Sequence, residues 1–250
     1  MNPKWQGGSR HIAILHAFQR HSRATISWYL YSAAMNAKNK IVIEHIFFDW
    51  DGTLLNSFEA DANAYAYMFG ALGMDWSIAQ LKRHYSPNWH LVYRAAGIPR
   101  AKYGEADRLW RRFYQKQLPK LQPGAMNVLR ILDRRFKLAL VSSGSRTRVR
   151  KQLRQHNVSA MFLTKVCCED APRRKPHPAP LRTALEKLGA RPHTSVYIGD
   201  APEDIEMAHR AGVRAIGVLG GSPVPERLRA ASADALIETI RDLPALLKNF

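Results

Sequence analysis

The strongest constraint on the fold of this chain is a regular alternation of short apolar stretches and helical segments, which begins at Ile41. The pattern predicts strands over 41–48, 137–141, 160–167, 194–198 and 213–218. It predicts helices over 146–156, 179–188, 203–211 and 237–248. Such alternation is typical of parallel strands joined by crossover helices. The sequence therefore predicts an α/β fold, a doubly wound parallel sheet with a Rossmann-like core.

Three regions of the chain differ in composition. The first 43 residues contain no Asp or Glu, so we predict that 1–40 form a basic, poorly ordered extension, with a targeting or surface-binding segment as the alternatives. Residues 57–122 show helical periodicity without a strong strand, interrupted at Gly73 and Pro87. We predict that this region is a helical cap inserted into a catalytic core made of 41–56 and 123–250.

The chain is strongly basic, with 38 Lys and Arg against 20 Asp and Glu and a formal charge of +18. This charge suits an anionic partner, and a small phosphorylated metabolite satisfies it as well as a nucleic acid does. Nucleic-acid binding is not expected, because no recognised nucleic-acid-binding motif accompanies the charge.

No stretch approaches the roughly 20 apolar residues of a membrane span. Cys167 and Cys168 are sequence neighbours, which rarely meet the geometry of a disulfide, so we expect a cytoplasmic protein. We also expect a monomer or a homodimer.

The first polar motif, Asp49-Trp50-Asp51-Gly52-Thr53-Leu54, directly follows the predicted strand 41–48. In extended backbone, residues two apart project to the same side, so the carboxylates of Asp49 and Asp51 would converge. Two such carboxylates repel and require a divalent cation, a proton or both. A surface turn is the alternative interpretation. A calcium loop is disfavoured because the remaining acidic positions of an EF-hand are missing.

Three further motifs follow predicted strands or precede predicted helices. Ser142 lies between a strand and a helix start, where a hydroxyl and free amides suit a phosphate, although a simple helix cap is an alternative. Lys175 offers a compact positive charge in the loop before the helix 179–188. Asp200 follows the strand 194–198, and Asp204 lies one helical turn later. Ligands of such sheets bind at the carboxyl edge, where these residues are expected to meet.

The four motifs, in this order, resemble the haloacid dehalogenase-like hydrolase superfamily over about 43–247. The phrases FFDWDGTL, KPHPAP and YIGDAPEDIEMAHRAG are similar to its phosphoglycolate phosphatase-like branch, which carries a small helical cap. The resemblance implies a Mg²⁺-dependent phosphatase that hydrolyses a small phosphorylated metabolite through an aspartyl-phosphate. It implies that Asp49 is the nucleophile, that Asp51 is the general acid and base, and that Ser142 and Lys175 hold the phosphoryl oxygens.

The resemblance also implies a metal site and a substrate site. Mg²⁺ would be held by Asp49, the backbone carbonyl of Asp51 and Asp200, with Asp204 completing the metal site or orienting Lys175. Candidate substrate-binding residues lie in the motifs and in the predicted cap: Thr53, Ser143, Gly144, His90 and Arg94. For the two cap residues, an ordinary amphipathic helix is the alternative explanation.

Two other functions stay open at this point. A phosphomutase of the β-phosphoglucomutase kind is built from the same core motifs, and the sequence hardly separates it from a phosphatase. A non-catalytic nucleic-acid-binding protein that kept the fold for its basic surface is disfavoured, because all the motif residues are present. Asp51 favours phosphoryl transfer over dehalogenation, since dehalogenases do not need an acid at this position.

Overall fold

The computed structural model describes residues 42–250, so the predicted extension 1–40 lies outside the described residues. The described part contains a six-stranded sheet in which every neighbouring pair is parallel, in the order β3-β2-β1-β4-β5-β6. The strands are β1 (His45–Phe48), β2 (Lys137–Val141), β3 (Thr164–Val166), β4 (Ser195–Gly199), β5 (Arg214–Val218) and β6 (Ala235–Ile237). The predicted α/β fold with a doubly wound sheet is confirmed.

Strand β1 lies in the middle of the sheet and is buried along its whole length. Phe48 pairs with Leu140 of β2 on one side and with Ile198 of β4 on the other. A parallel strand that is covered on both faces has no reason to alternate polar and apolar residues, which explains the three consecutive apolar residues Ile46, Phe47 and Phe48. The three central strands therefore end side by side at one edge of the sheet.

Ten α-helices connect and cover the strands of the described part. Four belong to the segment 57–122 that follows β1: α1 (Phe58–Ala71), α2 (Ile78–His84), α3 (Trp89–Ala95) and α4 (Tyr103–Tyr114). Six belong to the sheet layers: α5 (Ala125–Asp133), α6 (Arg146–Gln155), α7 (Ala179–Leu188), α8 (Pro202–Arg210), α9 (Pro225–Arg229) and α10 (Leu243–Leu246). Short 3-10 turns occur at Arg100–Lys102, Ser159–Met161, Pro192–Thr194 and Ile240–Asp242.

The sheet separates two apolar clusters, one on each face. Helices α5, α6 and α10 contribute to the first cluster, which includes Leu129 and Leu153. Helices α7, α8 and α9 contribute to the second, which includes Leu181 and Ile205. Burial of apolar surface on both faces supplies the main stabilising free energy of the sheet.

The four helices α1 to α4 have an apolar core of their own. Met68, Phe69, Leu81 and Val92 are buried in a cluster formed by this segment alone. The chain enters and leaves the segment at adjacent points, because the backbone N–H of Asn56 donates to the carbonyl of Lys120 and Leu55 forms an isolated antiparallel bridge with Leu121. The region predicted as a cap is thus helical from Phe58 to Tyr114, and its action as a cap stays a prediction.

Two element predictions differ from the structure. The predicted strand 160–167 is a 3-10 turn at Ser159–Met161 followed by the short strand β3. The predicted helix 237–248 was wrong in its first half, because β6 ends at Ile237 and a new turn begins after Thr239, whose hydroxyl caps it. A three-residue edge strand offers too few positions for a periodicity to be recognised. No helix of the described residues is long and apolar enough to cross a membrane.

Among residues 42–250 every strand begins at or after His45 and the apolar clusters involve residues from Ile43 onward, so removing 1–40 is expected to leave the sheet intact. We predict that the truncated chain unfolds with a free energy within about 1 kcal/mol of the full chain. Urea denaturation followed by circular dichroism measures this difference. A truncated protein that is insoluble or unfolded would contradict the predicted boundary.

Candidate active site

The carboxyl ends of the three central strands bring the first polar residues together. Asp49 follows β1, Ser142 follows β2 and Asp200 follows β4. All three side chains are buried, and the backbone N–H of Asp49 continues the sheet by donating to the carbonyl of Ile198 at 2.9 Å. The predicted meeting of these motifs at one edge of the sheet is what the structure shows.

Lys175 reaches the same point from the loop before α7. Its side chain is 1% exposed, and its Nζ lies 2.7 Å from Asp49 Oδ1 and 2.7 Å from Asp204 Oδ1. Nζ also donates to the Tyr197 hydroxyl at 2.7 Å. Burial alone would lower the pKa of Lys175, but the attraction of Asp204 and Asp49 outweighs burial and raises this pKa. The ammonium is therefore a permanent positive charge beside Asp49.

Both carboxylate oxygens of Asp204 already have partners in the protein. Oδ1 contacts Lys175 and the Tyr197 hydroxyl, and Oδ2 accepts a hydrogen bond from the backbone N–H of Ala201 at 3.2 Å. Asp204 thereby caps α8 and holds Lys175 in place. Of the two roles the sequence left open for Asp204, these contacts favour the orientation of Lys175.

Asp200 is positioned by the loop that follows Asp49. Thr53 Oγ1 donates to Asp200 Oδ1 at 2.8 Å, and Thr53 is completely buried. Gly52 has a φ of +82°, and a Cβ at this position would overlap the Asp200 carboxylate. Thr53, predicted as a substrate contact, thus has its hydroxyl bound to Asp200.

The buried acidic groups fit a divalent cation. Asp49, Asp200 and Asp204 each offer a carboxylate oxygen, and these oxygens lie within 4.8 Å of one another. Burial raises the pKa of Asp49, although the charge of Lys175 opposes this rise. Burial, with the neighbouring charges of Asp49 and Asp204, raises the pKa of Asp200 well above its ordinary value. Three buried carboxylates around one ammonium carry an excess of negative charge, and hard oxygen ligands suit Mg²⁺.

Asp51 is paired with an arginine that the sequence analysis missed. Arg148 of α6 donates from Nη1 to Oδ1 at 2.7 Å and from Nη2 to Oδ2 at 2.6 Å, a bidentate pair. The guanidinium also packs over the ring of Tyr114, 5.0 Å from its centroid. Four arginines lie within the ten residues 145–154, and nothing in the sequence marks Arg148 as the one that faces inward.

A cavity of about 290 Å³ lies above this cluster and is bounded by the helices α1, α3 and α4. Asp49, Asp51 and Asp200 form its floor on the sheet side. Its other walls carry six aromatic side chains: Tyr65, Tyr85, Trp89, Tyr93, Trp110 and Tyr114. The volume suits a small organic ligand, and the floor places the carboxylates of Asp49, Asp51 and Asp200 within the cavity.

Two of the predicted substrate residues line the cavity. Ser143 and Gly144 face it, and the Ser143 hydroxyl is buried without a hydrogen-bond partner among the described residues. The Ser142 hydroxyl accepts from the backbone N–H of Gly144 at 3.0 Å, which fixes the turn before α6. A hydroxyl without a partner in the wall of the cavity that contains Asp49 suits an incoming oxyanion.

His90 and Arg94, the other predicted substrate residues, do not line this cavity. His90 packs against Tyr103, 4.9 Å between ring centroids, and Arg94 lines a separate surface groove. Trp89 and Tyr93 line the cavity instead. Residues four apart share one face of a helix, so a shift by one residue turns the predicted pair about 100° away from the cavity.

Asp61 of α1 is a second cavity residue that the sequence did not reveal. Its Oδ1 accepts a hydrogen bond from Trp110 Nε1 at 3.0 Å. Burial, with the neighbouring charge of Asp51, raises the pKa of Asp61 from 3.8 to about 7. Asp61 lies outside the motifs on a helix with several polar residues, where a single carboxylate carries no distinguishing pattern.

We predict that Asp61→Asn changes how stability depends on pH. Between pH 4 and 7 the folded state binds more protons at Asp61 than the unfolded chain, so stability falls as the pH rises. Asn removes this loss and keeps an acceptor for Trp110. The free energy of unfolding of the variant, relative to wild type, should be on the order of 1–3 kcal/mol higher at pH 8 than at pH 5. This difference is smaller than the full pKa shift would give, because Asp61 faces the cavity.

Urea denaturation at the two pH values measures this gain. Asp75→Asn, which changes an exposed aspartate, is the matched control. An equal stability difference between wild type and Asp61→Asn at both pH values would contradict the prediction.

Comparison with known proteins agrees with this arrangement. Residues 46–218 match the haloacid dehalogenase-like hydrolase family. Pyrophosphatase PpaX of Oceanobacillus iheyensis is 28% identical over 208 residues, which cover 80% of this chain and 95% of that protein. Phosphoglycolate phosphatase of Pseudomonas putida is 28% identical over 210 residues, 79% of this chain and 77% of that protein.

A solved structure of a hydrolase from Pseudomonas syringae superimposes with a TM-score of 0.75 at 23% identity and covers 83% of this chain and 99% of that one. This similarity shows the fold. The family match spans more than half of the chain and includes all four motifs in full. The chain belongs to the haloacid dehalogenase-like hydrolase family.

Proposed function

We propose that this protein is a Mg²⁺-dependent phosphatase that hydrolyses a small phosphorylated metabolite through an aspartyl-phosphate. The observation that carries the proposal is the buried contact between Lys175 and Asp49 beside Asp200. A carboxylate nucleophile that attacks an anionic phosphoryl group needs a fixed positive charge next to it. The relatives named pyrophosphatase PpaX and phosphoglycolate phosphatase support hydrolysis of a bond between phosphorus and oxygen.

Asp49 is the nucleophile in this proposal. Its Oδ1 is bound to Lys175, which leaves Oδ2 for attack on phosphorus. A bond forms between Oδ2 and phosphorus while the bond from phosphorus to the leaving oxygen breaks. Lys175, Ser142 and the free hydroxyl of Ser143 stabilise the charge on the phosphoryl oxygens.

Asp51 supplies the proton transfers in this proposal. Its carboxyl group gives a proton to the leaving oxygen and later takes one from the water that attacks the aspartyl-phosphate. That attack releases inorganic phosphate and restores the Asp49 carboxylate. In the structure Arg148 holds both oxygens of Asp51. At least one of the two hydrogen bonds from Arg148 therefore has to break before Asp51 can give a proton to the substrate.

The residues that would hold Mg²⁺ are Asp49, the backbone carbonyl of Asp51 and Asp200, while Asp204 keeps Lys175 in place. When bound, the cation lowers the repulsion between the Asp49 carboxylate and the phosphoryl oxygens. Thr53 and Gly52 contribute by fixing the orientation of Asp200.

The helical segment 57–122 serves as the cap in this proposal. Its helices supply most of the cavity walls, and its two connections lie side by side at Asn56 and Lys120. A segment with a separate apolar core and paired ends can move as a unit. Its closure over the floor would exclude water from the phosphoryl group. A cytoplasmic location and a monomeric or homodimeric state remain predictions.

The direct test measures phosphate release from a panel of small phosphomonoesters by the purified full chain, with Mg²⁺ and with EDTA. We expect release that requires Mg²⁺. Formation of an isomeric phosphate in place of free phosphate would favour the phosphomutase alternative. Salt-sensitive binding of nucleic acid without any hydrolysis would favour the non-catalytic alternative.

Substitution of the two motif aspartates should separate their roles. Asp49→Asn is expected to abolish turnover, because an amide is a poor nucleophile and a weaker Mg²⁺ ligand. Asp51→Asn should lose about 100- to 10,000-fold in rate and accumulate aspartyl-phosphate, because the amide cannot transfer protons. The loss should be smallest with p-nitrophenyl phosphate, whose leaving group needs no proton.

Phosphate release and acid-quench detection of phosphoprotein measure these effects. Asp75→Asn, at an exposed position outside the cavity, should retain wild-type activity. Full activity of freshly purified Asp49→Asn would overturn the assignment of the nucleophile.

A further inference from the structure

Two arginines of the cavity take no part in the proposed phosphoryl site, Arg111 and Arg174. Arg111 donates from Nε to the carbonyl of Asp107 in its own helix at 3.0 Å, whereas the guanidinium of Arg174 has no such bond. Arg174 immediately precedes Lys175 and lines the same cavity, but its guanidinium takes no part in the contacts around Asp49. Instead it lies on the ring of Trp89, with Cζ 3.7 Å from the ring centroid. Trp89 belongs to α3, so this contact joins the lysine loop of the core to the helical segment.

The charge of Arg174 is not balanced by any carboxylate in the described part of the chain. Of the neighbouring arginines, Arg148 lines the cavity and binds Asp51 at 2.6 Å, and Arg146 lies outside the lining and binds Asp170 at 2.6 Å. Glu169 also lines the cavity, yet its Oε2 accepts from the backbone N–H of Arg146. Within residues 42–250, Arg174 has no ion pair within 4.0 Å.

Two buried donors of the stacked pair also lack acceptors among these residues. The Nη1 group of Arg174 and the Nε1 group of Trp89 are both buried, and neither forms a hydrogen bond with the described residues. Buried donors are normally satisfied, so an unpartnered pair beside a cavity indicates a ligand that supplies acceptors. A guanidinium fork binds carboxylates and phosphates with two parallel hydrogen bonds.

We propose that Arg174 and Trp89 form a second anion subsite, which binds a carboxylate or a second phosphate on the leaving group of the substrate. This inference rests on the proposed phosphatase function for the first subsite. The substrate is then a phosphomonoester with two anionic ends: Lys175 contacts the phosphoryl group that is transferred, and Arg174 selects the group that is not.

Binding of phosphonates tests the subsite without turnover, because their carbon–phosphorus bond is not hydrolysed. Calorimetry with the full chain and Mg²⁺ compares propylphosphonate, 3-phosphonopropionate and propane-1,3-bisphosphonate. We expect wild type to bind at least one of the two doubly anionic compounds more tightly than propylphosphonate. Which compound gains identifies the second group as a carboxylate or a phosphate.

Arg174→Gln should reduce this preference about 10- to 100-fold, the usual effect of losing a charge-assisted hydrogen bond. Arg174→Lys, which keeps the charge without the fork, should reduce it less. Trp89→Phe, which keeps the ring and removes the donor, should weaken it as well. Arg173→Gln is the matched control, because Arg173 is the exposed neighbour outside the cavity and should leave the preference unchanged.

A wild-type protein without the preference, or an Arg174→Gln variant that keeps it, would overturn the subsite. Failure of the phosphatase proposal gives a different result. In that case the Arg174-dependent preference persists while the wild type releases no phosphate from any ester.

Discussion

The buried contact of Lys175 with Asp49 and Asp204 is the interaction on which the rest of the site depends. These carboxylates are almost completely shielded from water, and an isolated charge in such a buried position is costly. One ammonium, also buried, offsets part of that cost for both. Because the three residues come from β1, α8 and the loop before α7, their contact also fixes the relative positions of these elements. Removing one partner of such a buried pair typically costs about 3–5 kcal/mol.

The charge of the chain and the charge of its site have opposite signs. The whole chain carries a formal +18, yet the floor of the cavity contains more carboxylates than cations. A positive surface raises the local concentration of small anions. In the proposed function, the acidic floor would hold the divalent cation that such an anion needs. The two charge distributions thus suit successive steps, approach of the substrate and reaction.

The sequence predicted the parts of the site that follow strands directly. Asp49, Ser142 and Asp200 were predictable because a parallel sheet aligns the carboxyl ends of its strands, whatever the side chains elsewhere. Arg148 and Asp61 were not, because the inward face of a helix depends on packing that single residues do not reveal. His90 and Arg94 show the same limit, since the cavity takes the neighbouring pair Trp89 and Tyr93. Strand β6 was missed because three residues show no period.

The paired ends of the helical segment have a consequence for how such enzymes diversify. The chain leaves the sheet and returns at Leu55 and Leu121, which are bridged, and the segment buries its own apolar cluster. The two connections to the sheet therefore stay paired whatever segment lies between them. An inserted segment of different length or shape could be grafted at this junction without stretching the core. In the proposed function, selection can therefore change most of the cavity walls through this junction, while the floor that carries the phosphoryl chemistry is preserved.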